Sequence, residues 1–124
     1  KETKQDILNR LFVENNLTSE DVFKHQHYTI ITRAGIDKIQ ANIEINIVYE
    51  VIRCEPPFAV VKAKATKGDK VIETFGSALK GKSWYVMEMA EKRAMSRAVL
   101  KLAGFYELGV FGEDESENFK RNNN

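Results

Sequence analysis

The stretch from Phe58 to Ala78 constrains this chain more than any other. In "FAVVKAKAT" the apolar residues Ala59, Val61, Ala63 and Ala65 alternate with Lys62, Lys64 and Thr66. A period of two marks a strand with one buried face and one wet face. "KGDK" then supplies a hairpin turn, and "VIETFGSA" runs back as a second strand. Upstream, "NIEINIVYEVIR" alternates too. Ile43, Ile45, Ile47, Tyr49 and Val51 lie on one face, with Glu44, Asn46 and Glu50 on the other, and "EPP" ends the run. Three such strands in succession make an antiparallel meander. Its dry side needs a cover. Gly76, inside the third strand, marks either a bulge or a close approach of backbone.

The expected cover is a helix from about Ser83 to Ala103, with Ser83 as N-cap and Gly104 as the stop. Met87, Ala90, Ala94, Met95, Ala98, Val99 and Leu102 are placed to face the sheet, and the alanines let the helix sit close. Ahead of the meander, residues 3 to 13 read as a helix capped by Thr3, with the stripe Ile7, Leu8, Leu11 and Phe12. "NNLTSED" breaks it, and "HYTII" reads as a short strand. Thr32 then caps a helix from about Arg33 to Ala41, with Ile36 and Ile39 inward. The fold class is therefore α+β: a three-stranded antiparallel β-meander packed on a long C-terminal helix, preceded by one or two short helices and a short strand. Residues 1–104 are expected to form this single domain. Residues 105–124, ending in "FGEDESENFKRNNN", read as an acidic, partly disordered tail.

A length of 124 residues suits one domain. No apolar run approaches the roughly 20 residues that span a bilayer, so no membrane partner is expected. A single cysteine, Cys54, forms no internal disulfide, which fits a cytoplasmic setting. The net charge of +1 conceals an asymmetry. Residues 62 to 101 hold ten basic and four acidic side chains, whereas residues 105 to 124 hold five acids against Lys120 and Arg121. A basic body with an acidic end points to a polyanionic partner or to a locally uneven solvated surface.

Within the basic block, Arg93, Arg97 and Lys101 recur every four residues and form one row along the last helix. The row spans about 12 Å, enough for two to four phosphates. Glu88, four residues before Lys92, is expected to pair with it. No acid stands three or four positions from Arg97. Arg97 is then a phosphate contact, a snorkelling side chain, or the partner of Glu44 or Glu50 on the sheet. Lys62 and Lys64 share a strand face, with Lys67 and Lys70 at the hairpin. Such a face tracks a phosphate backbone or protects a sheet edge. Trp84 and Tyr85 suit base stacking or packing.

His25 and His27 form His-x-His, but no cysteine or carboxylate pattern completes a metal site. Cys54 has no evident base beside it. No glycine-rich phosphate loop, nucleophile triad or carboxylate pair stands out. Neither catalysis nor a cofactor is expected.

"HYTIITRAGIDKIQ", the meander after it, and "MAEKRAMSRAVLKLAG" together resemble the single-strand annealing proteins of the Rad fifty-two type, over roughly residues 28 to 104. The resemblance implies a nucleoid-associated protein of recombination and repair. It also implies a homo-oligomeric ring that binds single-stranded DNA, or RNA, in a basic groove without a cofactor. An arginine opening the first conserved helix and a Lys-Arg pair late in the last helix line that groove. Arg33 matches the first, and Arg97 matches the arginine of the pair. The lysine position is Ser96 here, a departure from the pattern, with Arg93 and Lys101 one turn away on either side. Two other readings stay open: a small α+β ligand-binding or enzyme domain with a curved sheet around a helix, and an adaptor whose basic face meets an acidic protein.

Overall fold

The computed structural model describes residues 2–55, 57–79 and 85–115. In chain order the elements are α1 (Lys4–Glu14), β1 (Val22–His25), β2 (Tyr28–Ile31), α2 (Arg33–Asn42), β3 (Asn46–Glu55), β4 (Phe58–Lys67), β5 (Lys70–Leu79) and α3 (Val86–Ala103). After α3 come a 3₁₀ turn at Tyr106–Leu108, β6 (Val110–Gly112) and a terminal 3₁₀ turn at Glu113–Glu115. Local signals set the first helices. Thr3 Oγ accepts from the Asp6 N–H while the Asp6 carboxylate accepts from the Thr3 N–H, a complete capping box. Thr32 Oγ accepts from the Gly35 N–H at 3.1 Å and starts α2.

The meander is present, in the order β3-β4-β5. β4 and β5 pair without interruption from Phe58 opposite Leu79 to Lys67 opposite Lys70, so Gly76 is no bulge. It is the point where the sheet touches the backbone of α3 at Ala90 and Ala94. Ala59, Val61, Ala63 and Ala65 are all buried beneath the helix, and the buried Thr74 hydroxyl donates to the Ala94 carbonyl at 2.7 Å.

β3 departs from expectation. The alternation runs back to Ile43, but the strand starts at Asn46. Ile43 caps α2, and Glu44 takes a positive φ of 54° to turn the chain out of the helix. Pairing puts Ile47, Tyr49 and Val51 on the helix side as expected, with a register shift between Val51 and Arg53. Yet α3 lies over β4 and β5, so Tyr49 is only partly covered and Val51 stays exposed. The sheet's other face carries exposed Val48, Phe75 and Leu79.

α3 buries two sides rather than one. Ala90, Ala94 and Ala98 meet the sheet, while Ser96, Val99 and Leu100 are fully buried on the far side, beneath α2 and a second sheet. That sheet has the order β1-β2-β6, with β2 antiparallel to β1 and parallel to β6. Neither β1 nor β6 is expected from the sequence. Gly104 ends α3 with φ +88°, as its position predicts, but the domain does not end there. Phe105 and Val110 are fully buried, and β6 hydrogen-bonds to β2. Residues 105 to 115, expected in the tail, are therefore part of the fold. Residues 116 to 124 lie outside the described residues, as does Ser83; Tyr85 precedes α3 with no side-chain cap bond. Among the described residues no helix is long and apolar enough to cross a membrane.

Asp21 ties the turn after α1 to α2. Its Oδ2 accepts from Lys38 Nζ at 2.7 Å, from the Thr18 N–H at 2.9 Å and from the Thr18 hydroxyl at 3.1 Å. Lys38 first, and then the Thr18 N–H, hold the carboxyl below its ordinary 3.8. Hydrogen bonds to a charged group contribute about 1.5–3 kcal/mol, so Asp21→Ala is expected to cost about that much in urea unfolding. Because the folded pKa is lowered, this stability is complete above the ordinary value and is lost as pH falls through the folded one. The gap between wild type and variant should therefore narrow below about pH 4. A gap that is independent of pH would exclude the charged interaction as its source.

Candidate nucleic-acid interface

Arg93, Arg97 and Lys101 follow one another at single-turn intervals along α3, and the first two lie against β5. Arg93 Nη1 donates to the Ser77 carbonyl at 2.7 Å, and Arg97 Nη1 to the Phe75 carbonyl at 2.9 Å. The match is geometric. Four helical residues advance about 6 Å and two strand residues about 6.8 Å, so arginines four apart meet alternate carbonyls of an adjacent strand. β5 is an edge strand of its sheet, and a strand at an edge presents unpaired carbonyls. Arg93 Nε also donates to the Asp114 carbonyl at 3.2 Å. Lys101, one turn on, stands over the Tyr106 ring at 5.2 Å from its centroid. Neither glutamate proposed for Arg97 is its partner: Glu50 bridges to Lys62, and Glu44 lines a depression beside α2.

Arg33 lies on the other flank of α3. Its Nε is 3.8 Å from Asp37 Oδ1, and its backbone N–H donates to Glu113 Oε1 at 2.9 Å. It stands near the hydroxyl of Tyr49 on β3, which burial and then Glu91 push above the ordinary tyrosine value while Arg33 opposes the shift. The body of α3 separates this cluster from Arg97 at the β5 edge. The common groove expected for Arg33 and Arg97 is not formed. Between them sits the terminal 3₁₀ turn, with Glu113 against Arg33 and Asp114 against Arg93.

Lys62 and Lys64 point from β4 to the uncovered sheet face, away from α3. Lys62 Nζ sits 3.4 Å from Glu50 and 3.5 Å from Glu73, and Glu50 and then Glu73 raise its pKa. Lys64 stands opposite Val48 and Glu73 in the register. The two lysines therefore do not share a surface with the α3 row, and Lys62 is already offset by two carboxylates.

Ser96 is fully buried, its Oγ donating to Asp114 Oδ2 at 3.0 Å. Position 96 is thus turned inward against Asp114, while Arg97 lies at the β5 edge, so the two do not share an exposed surface here. Lys92 donates to the Tyr85 hydroxyl at 2.8 Å rather than pairing with Glu88. Trp84 lies outside the described residues. His25 ends β1, whereas His27 follows Gln26, whose φ is +57°, in the β1–β2 turn, so the two histidines do not line one strand face. Among the described residues no group of three or more histidine, cysteine, aspartate or glutamate side chains could hold a metal. Cys54 is half-buried against a small cluster that includes Ala59 and Val86.

Sequence reasoning missed the docking of Glu113 and Asp114 on α2 and α3. The only signal for it is the opposite sign of the two charge blocks. No protein-family model, curated protein or solved structure matches the chain.

Proposed function

We propose that this chain is a non-catalytic single-stranded DNA-binding domain of the Rad fifty-two type, which grips the phosphate backbone and holds a strand for annealing in recombination and repair. One observation carries the reading. Arg93, Arg97 and Lys101 stand in one row, two of them seated on the carbonyl oxygens of Ser77 and Phe75. Seated guanidinium groups have less side-chain freedom to lose on meeting an anion. The step along the row is about 6 Å, against roughly 3.4 Å between phosphates along one strand of B-form DNA. A strand drawn out beyond its duplex rise fits that step, which favours single strands. Backbone contacts carry no base information, so base sequence should matter little. RNA offers the same phosphates, and a ring of copies would multiply the rows along one strand. The ligand-pocket alternative draws on the depression lined by Asp37, Gln40, Glu44 and Asn46, whose acids suit a cationic ligand.

Anisotropy titrations with a labelled single strand and an equal-length duplex, at two salt concentrations, test this. Three phosphate contacts at about −0.7 each predict a slope of log K against log[salt] near −2 per engaged domain. Lys101→Gln should make that slope shallower by about 0.7, while Lys24→Gln on β1, with the same change in charge, should leave it unchanged. A flat salt dependence, a preference for duplex, or equal slopes for the two variants would reject the reading.

A further inference from the structure

We infer that the terminal 3₁₀ turn, Glu113–Glu115, is an internal anionic gate that stands on the path between Arg33 and the α3 row and that a bound strand must displace; this rests on the function proposed above. The contacts of the turn are specific. Glu113 Oε1 accepts from the Arg33 N–H at 2.9 Å. The Asp114 carbonyl accepts from Arg93 Nε at 3.2 Å, and its carboxylate accepts from the Ser96 hydroxyl at 3.0 Å. Gly112, just ahead, abuts Ser96 so closely that a Cβ there would lie 2.8 Å from Ser96 Cβ, so the turn rests directly on α3. Two carboxylates therefore sit between the two flanks on which the family's arginine positions fall. A strand running from the row to Arg33 would carry its phosphates over them. The same turn is thus both a staple of the fold and a source of negative charge beside its cations, and its displacement would open the way for one strand to reach Arg33 as well as the row.

Two like charges about 7 Å apart in water shift an equilibrium by roughly threefold. Glu113→Gln combined with Asp114→Asn removes both charges while leaving amide oxygens to accept from the Arg33 N–H and the Ser96 hydroxyl. Retention of the fold is checked by thermal melting. In the same titrations this double variant should bind a single-stranded oligonucleotide roughly fivefold tighter at low salt. Its salt slope should steepen by about 0.7 as Arg33 joins the contacts. Arg33→Gln in that background should remove the added slope. Glu113→Gln alone, which keeps every Asp114 contact, should give a smaller gain of the same kind. The control is Glu55→Gln with Glu73→Gln, an equal change in charge on the uncovered sheet face. Equal gains in the test and control variants, or a gain without a steeper slope, would overturn the gate while leaving the binding function standing. An absence of salt-dependent single-strand binding in wild type and variants alike would overturn the function, and the gate with it.

Discussion

Gly76→Ala is expected to destabilise the domain by about 3 kcal/mol or more, the upper end of what overpacking costs. The sheet and α3 meet backbone to backbone at this residue. A Cβ on Gly76 would run into the Ala90 carbonyl oxygen and lie 2.5 Å from the Ala94 nitrogen and 3.1 Å from its Cα. These are main-chain atoms of a helix whose Ala90, Ala94 and Ala98 are fully buried, so no flexible side chain can swing aside. The helix must lift off the sheet, stretching the 2.7 Å bond from the Thr74 hydroxyl to the Ala94 carbonyl and opening voids beside Val61 and Ala63. A loss of this size is a large fraction of the roughly 5–15 kcal/mol that holds a typical domain together. Urea unfolding followed by circular dichroism measures it. A loss under about 1 kcal/mol, the size of an ordinary substitution, would mean that the helix is not seated on Gly76.

Phe105→Ala should cost about 3–5 kcal/mol, the range for emptying a buried aromatic site. Phe105 is fully buried and lies 6.0 Å from the Phe12 ring of α1. Its N–H donates to the Leu100 carbonyl at 3.0 Å, and its carbonyl accepts from the Val110 N–H at 3.4 Å. One residue thus joins the end of α3, the start of β6 and the first helix. A chain cut after Gly104 would lose this ring, buried Val110 and the third strand of the β1-β2-β6 sheet together. It should not give a dispersed proton spectrum. A folded 1–104 fragment would put the domain boundary back at Gly104.

The elements legible in the sequence are those whose causes are local. Thr3 and Thr32 cap their helices because a hydroxyl three residues before an N–H is already in reach. β4 and β5 follow from strict alternation on either side of a four-residue turn, and that alternation also assigns Ala59, Val61, Ala63 and Ala65 to the dry face. Gly104 stops α3 because the left-handed conformation needed there is one that glycine adopts without strain. The spacing of Arg93, Arg97 and Lys101 aligns them along one helix because its period is set by the repeating hydrogen bonds of its own backbone.

What escaped the sequence depends on partners distant in the chain. β1 has no alternation of its own and is a strand because β2 lies beside it. β6 is three residues long and pairs with β2 across some eighty positions, which no local pattern records. The alternation at Ile43 and Ile45 imitated a strand until the end of α2 claimed those residues. Ser96 and Leu100 stand outside the set expected to face the sheet, and they are buried because a second layer covers them. The candidate site divides in the same way. Sequence determined which cations share the flank of one helix, since that follows from a fixed rise and turn. Only the tertiary structure decided that the edge carbonyls of β5 lie alongside that flank, that Arg33 falls on the opposite one, and that two acids from the end of the described chain stand between them. Those outcomes are set by how layers stack, and stacking depends on the summed shape and burial of all the elements rather than on any one of them.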